Sequence, residues 1–390
     1  MMNKSEWKKV RLGDITIQIR GVTYKKSDVC EKEIENFIPL LRANNIKDSK
    51  IIYNDVVFVN QNNVSENQIL RKNDILICTS SGSLDLVGKA GQINKNENIS
   101  FGAFCKVIRI LDENRLNPLY LNYFFQSSYY KQNIKKIAQG ANINNLKNGD
   151  IDNLEIILYS LEKQKYIGNI LNNLSNILNK RKEQLFELEK LVKFQFLKMF
   201  GDPILNEKNW KIEKLENVYK IIDGDRGKNY PKQNEFYKNE FCLFLNAKNV
   251  TNYGFNFDKV EFITKEKDEI LRSGKLERGD IVVTTRGTIG NTAFYDNDVI
   301  FENIRINSGM IILREKEKIN PIFFIKYFQN FKIYNQLVSG TAQPQIPITN
   351  IKNLKIILPA IELQNKFAEF VKQVDKSKFV IPSKILGGVA

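Results

Sequence analysis

The sequence predicts an α+β (mixed α/β) fold made twice over. One globular unit occurs in two copies, with a long helix after the first copy and a shorter one after the second. Three observations carry this. Residues 161–200 contain no proline and a single glycine, Gly168, so they read as one helix. The sequence on either side of that helix repeats with a period of about 200 residues. Within each copy, short β-branched runs follow polar turns, and Asn-Pro pairs open aromatic-rich stretches.

The helix carries a heptad seam. Ile167, Leu171, Leu174, Leu178, Arg181, Leu185, Leu188, Val192, Gln195 and Met199 follow one another in alternating steps of four and three, with Arg181 and Gln195 as polar interruptions. At about 1.5 Å per residue the helix is roughly 60 Å long, and Gly201-Asp202-Pro203 ends it. A helix buried in one large domain is the alternative, and its place between two copies of the same sequence argues against it.

The copies align through landmarks in constant order. Trp7 and Trp210 are the two tryptophans, each followed by a basic residue and a leucine a few positions on. Residues 37–46 match 241–250, and 70–79 match 276–285. Asn117-Pro118 recurs as Asn320-Pro321, residues 154–158 as 354–358, and Gln164 as Gln364. Strands are expected at 75–79 and 281–285, and at 104–110 and 309–313. Helices capped by Asn and begun by Pro are expected at 118–137 and 321–337, packing their aromatics on a sheet. Gly140 and Gly340 then open polar loops. The division is therefore 1–160 for the first unit, 161–200 for the helix, 201–360 for the second unit and 361–390 for a shorter helical segment.

Composition narrows the chemistry. The 390 residues hold 59 Lys and Arg against 44 Asp and Glu, a net charge of +15 that points to a polyanion, nucleic acid first and a membrane surface second. There is no histidine, which removes His-based acid–base catalysis, Ser–His and Cys–His pairs and nearly every zinc site. Four scattered cysteines without a C-x-x-C spacing suit a reducing cytoplasm. No signal peptide and no apolar run of about 18 residues is found, so no membrane role is expected.

The most tempting motif fails. Between Gly82 and Gly88-Lys89 lie five residues, and Ala90 follows the lysine. A phosphate-cradling loop needs four residues and then a hydroxyl. Neither an Asn-Pro-Pro-aromatic tetrapeptide nor a glycine-rich loop for S-adenosylmethionine is present, and no acidic pair forms a metal-dependent nuclease core. Catalytic and metal-ligating residues are therefore not assigned. What remains is polar loop chemistry at corresponding places. Arg42, Asn44 and Asn45 correspond to Asn246, Lys248 and Asn249. Ser80, Ser81 and Ser83 correspond to Arg286 and Thr288, with Lys89 close by. Asn142, Asn144 and Asn145 correspond to Gln343 and Gln345. A further loop, 223–229, with Arg226 and Lys228, occurs only in the second copy. Arg, Asn and Gln can bond base edges in pairs, and Ser, Thr and Lys suit phosphates; the same residues also serve ordinary turns. Frame residues agree between copies and loop residues differ, as expected of two units that read different things.

Several of these stretches together resemble the specificity subunit of type I restriction–modification systems. They are the Trp7-Lys-Lys-Val-Arg-Leu-Gly-Asp start, residues 339–347, residues 354–364 and the long helix ending in Phe200-Gly-Asp-Pro. The resemblance implies two target-recognition domains related by a pseudo-two-fold and separated by long antiparallel coiled-coil helices. It implies a non-catalytic subunit that reads a bipartite double-stranded DNA target, one half-site per domain, the helix pair fixing the gap. It also implies two modification subunits holding S-adenosylmethionine, with restriction subunits added, and no cofactor bound by this chain. The helix-pair interface is expected at Ile167, Leu171, Leu174, Leu178, Leu185, Leu188 and Val192, with Phe367, Val371 and Val374 answering from the second helix. The repeat of the helix is lost near Pro382, so Leu185, Leu188 and Val192 are expected to lack an intramolecular partner, through truncation or recombination of the gene or because a second chain supplies the helix. Two other functions stay open: a coiled-coil scaffold for protein interactions, and a stand-alone DNA-modifying enzyme.

Overall fold

In the computed structural model, residues 7–140, 145–340 and 344–379 are described. The chain divides into two compact units, 1–181 and 182–390, and the division falls inside the long helix Leu161–Phe200.

In the first unit, Lys8–Arg11 pairs antiparallel with Glu155–Leu158, tying the start of the unit to the strand before the long helix. The main sheet has six strands in the order Thr16–Arg20, Cys105–Ile110, Ile75–Cys78, Ala90–Gln92, Lys50–Ile51, Ile46–Lys47. Its central strand is buried on both faces. Ile75 and Ile77 enter a core with Leu121, Phe125 and Tyr130, while Leu76 and Cys78 enter another with Leu41, Phe101 and Val107, as a period of two dictates. A second sheet has four strands in the order Ser100–Phe101, Phe37–Leu41, Val57–Asn60, Val29–Cys30.

The second unit reproduces the frame. Lys211–Lys214 pairs with Lys355–Leu358, and the main sheet runs Tyr219–Asp223, Met310–Glu315, Ile281–Thr284, Thr292–Phe294. Corresponding polar contacts recur. Arg109 bonds Asp74 at 2.7 Å, and Arg314 bonds Asp280 at 2.8 Å. Gln164 accepts from the Asn117 amide at 2.8 Å, and Gln364 from the Asn320 amide at 2.9 Å. Asn117 and Asn320 cap the following helices with their side chains, each ahead of a proline at the first helical position.

The expected helix at 118–137 is two helices, Pro118–Gln126 and Ser128–Gly140. Ser127 has extended backbone angles, its hydroxyl donates to the Phe124 carbonyl at 2.6 Å and accepts from the Tyr130 amide at 3.2 Å, so it ends one helix and caps the next. The helix expected at 321–337 stops at Phe331, because Lys332 takes left-handed angles (φ 43°) and a short 3-10 turn, Asn335–Leu337, follows. The strand expected at 309–313 is Met310–Glu315.

The long helix behaves differently in its two halves. In the second unit Val192, Phe196 and Phe200 are buried in one core with Phe323, Phe367, Val371 and Val374. Phe367, in the second turn of the helix Ile361–Phe379, has its ring centroid 5.5 Å from Phe196 and 5.6 Å from Phe200, so the start of the second helix lies against the end of the first. In the first unit Leu171, Leu174 and Leu178 are exposed, at 37%, 52% and 36%, and Ile167 is half-buried. The expectation is thus reversed. Val192 is buried and Leu188 packs on that core, with Leu185 half-buried, while the seam positions nearer the start of the helix are the open ones. The physical reason is direction: a helix that returns antiparallel covers the end of its partner first. Gly201 (φ 74°) closes the helix, and Trp210 Nε1 and Lys208 Nζ bond its last carbonyls. Among the described residues no helix is long and apolar enough to cross a membrane.

Candidate nucleic-acid interface

In each unit the residue just after the central strand of the main sheet, Ile75–Cys78 or Ile281–Thr284, is a threonine that fastens two loops. Thr79 N donates to the Phe104 carbonyl at 2.9 Å, and the Thr79 carbonyl accepts from Leu146 N at 2.7 Å. Thr285 N donates to the Gly309 carbonyl at 2.8 Å, and the Thr285 carbonyl accepts from Ile346 N at 3.0 Å. The next residue is thereby placed opposite a loop residue in an isolated antiparallel bridge: Ser80 with Asn145, and Arg286 with Gln345. Two loops far apart in sequence meet at one point, and both units present different side chains there.

A third contributor is the end of the strand two places along the sheet, Arg20 in the first unit and Asp223 in the second. A glycine follows each. A Cβ on Gly21 would collide with the Gly102 carbonyl, and one on Gly224 with the Asn307 carbonyl, so the chain passes where only glycine fits. Arg20 lies in register with Lys106, and Asp223 with Ile311. Lys106 Nζ donates to the Leu146 carbonyl at 3.2 Å and to Asn148 Oδ1 at 2.7 Å. Burial, and then the nearby Arg20 charge, hold the Lys106 ammonium below the usual lysine range.

In the second unit Asp223, Arg226, Arg286, Gln345, Pro347 and Thr349 line a cavity of about 280 Å³. Arg226 pairs with Asp223 at 3.2 Å and donates to the Ser308 carbonyl at 3.2 Å. Burial pushes the Asp223 carboxyl up, which Arg226 and, less strongly, Arg286 oppose. In the first unit Lys89 borders a groove of about 490 Å³ together with Lys131, Lys135, Asp48, Asp85 and Tyr130. Lys106, Arg20, Lys131 and Lys135 escape the sequence reading, which reached Asp223 only as the first residue of the 223–229 loop. Carrying the Trp7-to-Trp210 offset forward would have set Arg20 against Asp223; the lysines had no such signal.

The other sequence-assigned residues divide clearly. Asn45 and Asn249 are buried (1% and 2%) and fully used inside the fold. Asn45 Nδ2 donates to the carbonyls of Ile52 and Asn54 while its Oδ1 accepts from Arg42 N. Asn249 Nδ2 donates to those of Asn256 and Lys259 while its Oδ1 accepts from Asn246 N. Neither can reach DNA; both hold a turn together. Arg42 and Asn44 are tied to Asp55, and Asn246 caps Lys248 N, so these three are committed locally. Ser81 accepts from Ser83 N at 3.2 Å. Lys89, Lys228, Lys248, Ser83, Asn145 and Thr288 are exposed. Asn142, Asn144 and Gln343 lie outside the described residues. No three Asp, Glu or Cys side chains among the described residues gather where they could hold a metal ion.

The sequence matches the type I restriction modification DNA specificity domain twice, over residues 4–188 and 207–386. It is 30% identical over 400 residues to the StySPI type I restriction enzyme specificity subunit of Salmonella potsdam, covering 95% of this chain and 81% of that one. It is 28% identical over 388 residues to the EcoKI specificity subunit of Escherichia coli (strain K12), covering 95% and 82%. Among solved structures, the S subunit of a type I restriction–modification system from M. genitalium is similar with a TM-score of 0.58 at 18% identity, over 97% of this chain and 92% of that one. A chain from a structural study of type I restriction–modification complex assembly gives 0.51 at 15%, over 97% and 93%. At such identities the structural likeness is one of fold.

Proposed function

The chain belongs to the type I restriction modification DNA specificity family, as a specificity subunit and not the catalytic one, and from that premise we propose that each unit reads its own half of a bipartite double-stranded DNA target. The observation that carries this is the pair of corresponding crossings. The frame fixes Ser80 against Asn145 in one unit and Arg286 against Gln345 in the other. A constant frame with changed side chains at this loop crossing is what two readers of different sequences require, because base identity is read by side chains and position by the frame. The net charge of +15 supports the phosphate part of the binding.

On this reading the chemistry lies in other subunits. Two modification subunits dock on the chain and hold S-adenosylmethionine, restriction subunits add to them, and this chain binds no cofactor. The assembly works in the cytoplasm, where its DNA is. The test is to sequence methylated positions in a host with and without this gene. A gapped motif that appears only with the gene is expected; unchanged methylation in a host with active partner subunits would refute the reading.

A further inference from the structure

The cavity of the second unit holds two kinds of polar side chain. Arg226 is committed: it sits on Asp223 and on the Ser308 carbonyl, both at 3.2 Å. Arg286 and Gln345 are not. Their backbones are fixed, Arg286 N donating to the Gly309 carbonyl at 3.2 Å and Gln345 exchanging two hydrogen bonds with Ser339 at 2.9 and 3.0 Å. Their side chains nevertheless make no hydrogen bond or ion pair with any other described residue. A guanidinium that feels only the charge of Asp223 and an uncommitted carboxamide thus leave neighbouring points of a rigid bridge that lines the cavity.

A surface arginine is often a phosphate contact. Here the guanidinium leaves a bridge whose other residue carries a carboxamide, a group that pairs with base edges and adds no charge to attract a phosphate. Arginine bonds guanine O6 and N7 with two parallel donors, and glutamine bonds adenine N6 and N7 with one donor and one acceptor.

We propose that Arg286 and Gln345 read two neighbouring base pairs in the major groove, Arg286 a guanine and Gln345 an adenine, with Asp223 and Arg226 as positioning residues. The proposal rests on the reading that this unit binds one half-site. It also sets the two units apart. At the corresponding crossing the first unit has Ser80 and Asn145, with Arg20 and Lys106 where the second has Asp223 and Ile311. Neither residue of the first unit's bridge, Ser80 or Asn145, is an arginine, so a guanine preference read from this bridge belongs to one half-site alone.

The experiment uses the full chain and a pool of randomised duplex DNA, followed by affinity measurements on the selected sequence. Wild type is expected to select a gapped sequence with an adjacent guanine and adenine in one half. Arg286→Ala should lose discrimination at the guanine by on the order of 10- to 100-fold, leaving the other half-site as selective as before. Arg286→Lys keeps the charge but not the fork, so it should fail to restore the guanine preference. Replacing that guanine by 7-deazaguanine, which lacks N7, should weaken wild type several-fold and leave Arg286→Ala unaffected. Gln345→Ala should relax the adenine only. Asp223→Asn should narrow the ratio of guanine to other bases while affinity for scrambled DNA holds. If Arg286→Ala selects the same sequence at lower affinity, Arg286 is a phosphate contact and the proposal fails while the half-site reading stands. If wild type selects no sequence, the half-site reading falls and takes the proposal with it.

Discussion

A buried asparagine and an exposed one look alike in a sequence, and Asn45 and Asn249 show what separates them. Each satisfies its amide and carbonyl within its own turn, so its loss strands buried backbone groups. Asn249→Ala is expected to cost on the order of 3 kcal/mol of stability, seen as a lower denaturation midpoint, while DNA affinity of the folded protein stays within about twofold. Affinity lost without stability would return Asn249 to the interface. The signal was in the sequence all along: residues identical in both copies belong to the frame, and Asn45 matches Asn249. Ser80 and Arg286, which differ, stand at the crossing of the loops. Asp223 was legible by the same rule, since it takes the place of Arg20 one step before a glycine that both copies keep. The geometry of the crossing was not legible, because no sequence pattern announces that Ser80 meets Asn145 across 64 intervening positions.

At the scale of an element, the long helix was read from its heptads, and half of that reading holds. Heptad spacing describes a helix facing another helix. From Val192 onward the buried positions advance by four, to Phe196 and Phe200, because the partner there is a globular core with Phe323 as well as Phe367. Gln195 and Met199, the seam positions, are left half-buried. Phe196→Ala should therefore cost about 3–5 kcal/mol, since its ring meets Phe200, Phe323, Tyr327, Phe331 and Phe367. Leu174→Gln, at 52% exposure, should stay within about 0.5 kcal/mol of wild type. Urea unfolding of the full chain separates the two. A large loss for Leu174→Gln would show that its face is covered in solution, and equal effects would undo the distinction between the halves of the helix.

For the whole molecule, the charge and the duplication predict different parts of one binding curve. Lysines and arginines that meet phosphates release counterions whatever the sequence, so affinity should fall steeply as salt rises, by roughly a thousandfold or more between about 50 and 200 mM if six or more phosphates are met. Base contacts add discrimination and little salt dependence. Scrambling the half-site read by the second unit should therefore lower affinity at every salt concentration by nearly the same factor, leaving the slope of the log–log plot unchanged. Scrambling the other half should do the same independently, and the Arg286→Ala chain should respond to that second change in full but only weakly to the first. Fluorescence anisotropy with four duplexes, intact, each half scrambled and both scrambled, measures all of this. If affinity hardly varies with salt, the positive charge serves another partner, and a protein-interaction scaffold becomes the better account of the chain. If the slope is steep but the four duplexes bind alike, the chain meets DNA through its backbone only, and the difference between Ser80 and Arg286 carries no sequence information.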